Sequence, residues 1–174
     1  MSQIIRKQEM ARGTVVRFEI EAPLIARKAK AGHFVIVRVN ETGERIPLTI
    51  ADKDEFTGSI TIIFQVVGKT TALMRSLNEG DIIKDVVGPL GNPAEIENMG
   101  TVIMVGGGTG IAILHHVTKA FMEAGNHVLG IIGSQTKDLL FLENEMRSYC
   151  HELTVTTDDG SYGHHGFVTE ILKD

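Results

Sequence analysis

Residues 101–105 read as an apolar strand, Thr101 leading into Val102-Ile103-Met104-Val105, and Gly106-Gly107-Gly108-Thr109-Gly110 follows it directly. From Ile111 to Glu123 the spacing becomes helical, with Ile111, Leu114, Thr118, Phe121 and Met122 near one face. An apolar strand, a glycine turn and an amphipathic helix in that order allow few folds, because the helix must cross back over a parallel sheet. The rhythm continues with a strand at 127–132, a helix at 138–149, a strand at 153–157 and the start of a last helix at 166–172. The spacing predicts a doubly wound parallel α/β domain over residues 98–174.

The N-terminal part has a different period. Val16, Phe18 and Ile20 alternate with Arg17 and Glu19, so one face of a strand is wet and the other dry. Further β-branched runs lie at 34–39, 60–67 and 81–87, separated by turn-rich segments at 41–44, 52–58 and 78–80. One short helix is expected at 71–77. Short strands at this spacing predict an antiparallel β-barrel over residues 1–97.

Composition removes several function classes. A net charge of −5 lacks the basic face of a nucleic-acid binder. No segment has the ~20 apolar residues of a membrane span, and residues 1–7 lack the apolar core of a signal peptide. A cytoplasmic protein without nucleic-acid or membrane partners is expected. The single cysteine, Cys150, cannot form an internal disulfide or by itself hold a cysteine-ligated cluster. No metal site is expected at the histidines either: His115 and His116 are adjacent on a helix and cannot share a face, and His164 and His165 sit in a glycine-flanked loop.

The glycine run stands where phosphate binds well. The first N–H groups of a helix have no internal partner, the peptide dipoles favour an anion, and glycine lets the backbone approach it. The run is not the G-x-G-x-x-G fingerprint, and the next strand ends in Gly133-Ser134-Gln135-Thr136 without the usual acidic ribose ligand. A tight strand–helix turn without ligand is the alternative reading. The third strand leads into Asp158-Asp159-Gly160-Ser161-Tyr162-Gly163 on the same side of the sheet, where ligands of open α/β sheets bind. Its carboxylates and hydroxyls suit ribose or a carboxamide; the other reading is that they form turns and cap the next helix.

In the barrel part, Arg45-Ile46-Pro47-Leu48-Thr49-Ile50 puts a proline inside a strand, which suits an edge or a ligand-facing position. Arg45 offers a donor fork matched to phosphate. Val67-Gly68-Lys69-Thr70-Thr71 places a glycine, a cation and two hydroxyls before the short helix, a second anion pocket. A pyrophosphate between Arg45 and that helix start satisfies both.

Together these motifs resemble the ferredoxin–NADP reductase superfamily. Within it, the sequence is similar to the electron-transfer subunits of dihydroorotate dehydrogenase and of NADH-dependent ferredoxin:NADP oxidoreductase. Residues 45–50 resemble the flavin signature R-x-P/Y-S/T/L-S/T, and Gly68-Lys69-Thr70-Thr71 the flavin-pyrophosphate segment. Gly88-Pro89-Leu90-Gly91 is similar to the loop that ends the barrel, and residues 105–110 and 157–163 to the nucleotide loops.

The resemblance implies that Arg45 binds FAD phosphate and that Pro47, Leu48 and Thr49 line the isoalloxazine. Thr49 would supply a hydrogen bond near flavin N5, the one catalytic contact expected. It further implies that Gly68 and Thr71, with Thr70 beside them, hold the pyrophosphate. Gly108, Thr109 and Gly110 would meet NAD or NADP, with Asp159, Gly160 and Ser161 nearby. Gln135 lies where relatives that choose a 2′-phosphate use arginine, so the resemblance leaves NAD against NADP open.

The implied function is a flavoprotein subunit that moves electrons between NAD(P)H and a larger catalytic or flavoprotein subunit, with ferredoxin as another candidate acceptor. The alternative is a flavin-binding module or fragment without nicotinamide-dependent activity. The family continues past this point with a further strand and a C-G-P-like turn, and close relatives carry four cysteines around a 2Fe–2S cluster. The α/β domain is therefore expected to be incomplete at its C-terminus, with residues 101–105 presenting an unpaired edge unless a longer chain or a partner covers it.

Overall fold

The structure, a computed structural model, describes residues 1–172. It contains two compact units, Met1–Ala94 and a second that begins at Glu95.

The first unit comprises β1 (Ser2–Met10), β2 (Val15–Glu21), α1 (Pro23–Ala26), β3 (Phe34–Arg38), β4 (Ile46–Asp54) and β5 (Ser59–Gln65). It continues with α2 (Lys69–Ser76), β6 (Ile82–Ile83) and β7 (Asp85–Leu90). The strands form one antiparallel sheet in the order β6-β1-β2-β5-β4-β3-β7. Its two outermost strands are consecutive in the chain, with only Lys84 between them. Two residues of chain span at most ~7 Å, so the sheet must curl until its ends nearly meet. The run at 81–87, read as one strand, is thus two strands with different partners: β6 pairs with β1, and β7 with β3.

The alternation in β2 is real. Val16, Phe18 and Ile20 are buried with Ile60, Ile62 and Phe64 of β5, and the Phe18 and Phe64 rings meet edge to face at 5.3 Å. Val35, Val37, Ile4, Ile50, Met74 and Ile83 also belong to this core. β1 had no apolar period to announce it. Of its nine residues only Ile4 is fully buried, and backbone pairing with β2 from Ile4↔Ile20 to Met10↔Val15 makes it a strand.

The second unit contains β8 (Thr101–Gly107), α3 (Gly110–Glu123), β9 (His127–Ser134), α4 (Glu143–Tyr149), β10 (Glu152–Thr157), β11 (His164–His165) and α5 (Val168–Ile171). The strands are parallel in the order β11-β10-β9-β8. His164 and His165 therefore form a short strand against Thr156 and Thr157 rather than a loop. The expected helix at 138–149 is broken: a 3-10 turn covers Lys137–Leu139, and Leu142 takes a left-handed φ of 59° before α4 starts. The buried residues of α3 are Ile111, Ala112, His115, His116 and Thr118, whereas Phe121 and Met122 are only half-buried. The face is rotated because α3 packs on α4 as well as on the sheet; the His115 ring stands edge-on to Tyr149 at 5.4 Å. Among the described residues β8 is an edge strand, with Ile103 53% exposed. No described helix is long and apolar enough to cross a membrane.

Candidate functional site

In the first unit, Arg45 is exposed and immediately precedes β4 instead of lying within it. Residues 46–49 pair with β3, in the register Val37↔Ile46 to Phe34↔Thr49. On the other side β5 joins only from Ile50↔Ile62 onward. The start of β4 thus has one free edge, the kind of place where a proline is tolerated. Pro47 is exposed there, and Leu48 and Thr49 are half-buried. β3 carries the same row on to β7: Phe34 faces Thr49 on one side and Leu90 on the other. Gly91, at φ 82°, packs so closely on the Phe34 ring that a Cβ would come within 2.9 Å of it.

The helix start expected to hold phosphate is α2. Its N-cap, Gly68, is extended, and a Cβ there would meet no atom within 4 Å. The Thr71 hydroxyl folds back on the cap, accepting from the N–H groups of Val67 and Gly68 and donating to the Gly68 carbonyl, each at 3.0 Å. Thr71 therefore shapes the helix start. The N–H groups of the first turn have no partner within the helix. Thr70 Oγ1 donates to Glu44 Oε2 at 3.0 Å, tying the residue before Arg45 to the start of α2. That bond joins the two segments expected to flank the pyrophosphate, and it is the Glu44 carboxylate that reaches the start of α2.

In the second unit the glycines of the 106–110 run divide by role. A Cβ on Gly106 would overlap Leu114 Cδ1, so this glycine lets β8 and α3 pack. A Cβ on Gly107 would come no nearer than 3.9 Å to the Gly133 carbonyl, and one on Gly108 or Gly110 would meet nothing within 4 Å. Gly108 has φ 53° and donates its N–H to the Gly133 carbonyl at 2.8 Å. Thr109 is the N-cap of α3 and makes no side-chain cap bond. The space beside 107–110 is the kind a phosphate needs, and glycine keeps it open.

The loop after β10 is bonded to the loop after β9. Asp158 and Asp159 donate their N–H groups to the Ser134 and Gln135 carbonyls. Asp159 Oδ1 accepts from the Ser161 N–H at 3.0 Å and its hydroxyl at 2.6 Å, across Gly160 at φ 70°. The Ser161 hydroxyl bond, then its amide, hold the Asp159 carboxyl below the usual range. Ser161 Oγ in turn accepts from the Lys137 N–H at 2.8 Å. The turn of the second reading is present at Asp159–Ser161, but the expected cap is not, since α5 starts after Phe167 without a side-chain cap bond.

Lys137, Glu143 and Arg147, which sequence reasoning passed over, sit beside it with Tyr162. Tyr162 donates its hydroxyl to Glu143 Oε1 at 2.9 Å, Arg147 pairs with the same carboxylate, and the Lys137 ammonium lies 5.0 Å from the Tyr162 ring centroid. With Leu140, Phe141, Leu142, Asn144 and Glu145, three of these residues (Lys137, Glu143 and Tyr162) line a cavity of about 340 Å³. The Glu143–Arg147 spacing of one helical turn was the signal available in the sequence. Cys150 is a half-buried thiol whose pKa burial pushes up, which makes it a poor nucleophile.

No protein-family profile matches the chain. It is 34% identical to the dihydroorotate dehydrogenase B (NAD(+)) electron transfer subunit of Bacillus caldolyticus, over 97% of this chain and 67% of that one. The chain belongs to the family of dihydroorotate dehydrogenase B electron-transfer subunits. An electron transfer subunit homolog in this family, from Thermotoga maritima, is 46% identical over 99% of this chain. The chain spans 60% of that protein's length. Among solved structures, a chain of an NADH-dependent reduced ferredoxin–NADP oxidoreductase superposes with a TM-score of 0.95 at 44% identity, over 99% of this chain and 62% of that one. The Amycolatopsis cytochrome P450 reductase, at 21% identity, superposes with a TM-score of 0.82 over 98% of this chain and 56% of that one, and shares the fold. The barrel-plus-α/β architecture of this subunit family is thus the ferredoxin–NADP reductase fold.

Proposed function

We propose that this chain binds FAD on residues 1–97 and NAD or NADP on residues 98–174, and serves as the flavoprotein electron-transfer part of an NAD(P)H oxidoreductase. The observation that carries the reading is the Glu44–Thr70 bond, which joins the Arg45 segment to the start of α2. Two sources of positive potential, the Arg45 guanidinium and the start of α2, would then flank one anion. Gly68 leaves room for that anion, since no atom lies within 4 Å of its missing Cβ. Arg45 would hold the diphosphate of FAD, Thr71 shapes the helix start through its bonds to Val67 and Gly68, and Pro47, Leu48 and Thr49 would line the ring, with the Thr49 hydroxyl as its hydrogen-bond donor. The open space at Gly107, Gly108 and Gly110 receives the nucleotide phosphates.

FAD, held by these residues, would supply the redox chemistry, accepting hydride from a nicotinamide and releasing electrons one at a time. No side-chain acid or base is needed for that, so the residues act by holding and orienting. The relatives are named as subunits, and a larger catalytic subunit is the acceptor proposed here, with ferredoxin as a second candidate. The one cysteine of this sequence leaves any cysteine-ligated cluster to other residues than these.

Purified protein reconstituted with FAD tests the reading. Arg45→Ala removes a charge-assisted hydrogen bond of about 1.5–3 kcal/mol. FAD affinity should fall roughly 10–100-fold with the far-UV spectrum unchanged. An unaltered affinity would mean the barrel has been misread. Bleaching of the bound flavin by NADH or NADPH supports the oxidoreductase; a flavin indifferent to both would leave a flavin-binding module.

A further inference from the structure

Three donors converge on one oxygen of Glu143. Arg147 reaches Oε1 with Nε at 3.0 Å and Nη2 at 2.7 Å, and the Tyr162 hydroxyl reaches it at 2.9 Å. The second oxygen, Oε2, takes no hydrogen bond among the described residues. The side chain is 21% exposed and lines the cavity of about 340 Å³. A carboxylate fixed by one oxygen and unused at the other is a ready acceptor for a ligand that brings hydroxyl donors. The cavity lies at the carboxyl ends of β9 and β10, where open α/β sheets bind nucleotides, and its size falls within the range of small-molecule sites.

We propose that Glu143 accepts the ribose hydroxyls of the nucleotide and selects NAD(H) over NADP(H); the proposal rests on the nucleotide-binding reading above. Lys137 is the only cation among the lining residues, against Glu143 and Glu145. Its ammonium stands over the Tyr162 ring, and the Arg147 guanidinium is committed to Glu143. A vicinal diol finds an acceptor in this cavity. A 2′-phosphate in its place meets a carboxylate.

Calorimetric titration of the full chain with 5′-AMP and with 2′,5′-ADP tests this without any flavin chemistry. Wild-type protein should bind 5′-AMP more tightly by about tenfold or more, the effect of one uncompensated like charge. Glu143→Gln keeps an acceptor oxygen and removes the charge, so the preference should shrink, chiefly because 2′,5′-ADP binds better. Tyr162→Phe, which removes one orienting donor, should weaken 5′-AMP binding several-fold. If wild type favours 2′,5′-ADP, Lys137 is holding the phosphate and the proposal is overturned. It is equally overturned if the ratio survives Glu143→Gln in a protein of unchanged melting temperature. Should neither fragment bind wild type, the nucleotide-binding reading falls with it; equal binding of both removes only the selection.

Discussion

Gly110→Ala separates a phosphate loop from a plain strand–helix turn, because the two readings disagree about binding while agreeing about stability. Gly110 opens α3, has no positive φ, and leaves a 4 Å void around its missing Cβ. Alanine therefore fits the folded backbone and reduces the freedom of the unfolded chain, a gain of about 0.4–1 kcal/mol. In a unit of this size that raises the melting temperature by roughly 2–8 °C. The same methyl occupies the space where phosphate oxygens must come within ~3 Å of the first N–H groups. Losing one charge-assisted bond there costs about 1.5–3 kcal/mol, or roughly 10–100-fold in affinity. Thermal melts by circular dichroism and quenching of NADH fluorescence read the two quantities separately. Gly106→Ala is the contrasting variant: its Cβ overlaps Leu114, so it should lower stability by about 1–3 kcal/mol through packing. A stabilised Gly110→Ala protein that binds nucleotide as well as wild type would show that the loop is only a turn.

Two smaller expectations concern the same unit. The Thr118 hydroxyl is buried in α3 without a hydrogen-bond partner, so Thr118→Val should stabilise the protein by about 1 kcal/mol; a lower melting temperature would mean that the hydroxyl has a partner. Asp159 has its folded pKa depressed by the Ser161 hydroxyl and amide. The loop bond is accordingly intact above the ordinary carboxylate range and is lost as pH falls through the lower folded value. A carbon-13 titration of the Asp159 carboxyl should show that low midpoint, and Ser161→Ala should move it back up; a midpoint indifferent to the substitution refutes the assignment.

The fold was legible wherever burial and period coincide. Val16, Phe18 and Ile20 alternate because one face of β2 points into the core that the curled sheet encloses. Residues 102–105 read as a strand by their apolar run although only Met104 among them is buried and Ile103 lies exposed. Legibility failed where the backbone, not the side chains, made the element. β1 is a strand by pairing with β2, and most of its residues (Ser2, Gln3, Arg6, Lys7, Gln8 and Glu9) are polar. β11 is two histidines held by β10. The α3 face was misjudged because periodicity finds one buried side, and α3 has two: the sheet and α4. His115 and His116, which cannot share one face, are 3% and 6% exposed for that reason.

The candidate cofactor sites were legible as loops and much less so as side chains. Glycine writes its purpose into the sequence, since Gly68, Gly108 and Gly110 stand at helix starts where a Cβ would fill open space. A hydroxyl or carboxylate does not, because its role depends on which neighbour reaches it first. Thr71 bonds its own helix cap, Thr70 bonds Glu44, and Asp159 bonds Ser161. Each was a reasonable ligand by type, and each spends hydrogen-bonding capacity on the loop that carries it. Glu143 is the reverse case. Its type and position say helix N-terminus, where acidic residues are common for reasons unconnected with ligands. Only the geometry reveals that three donors share one oxygen and leave the other unused. A residue's unspent bonding capacity is a property of the folded chain, and it identifies a binding group more sharply than residue type does.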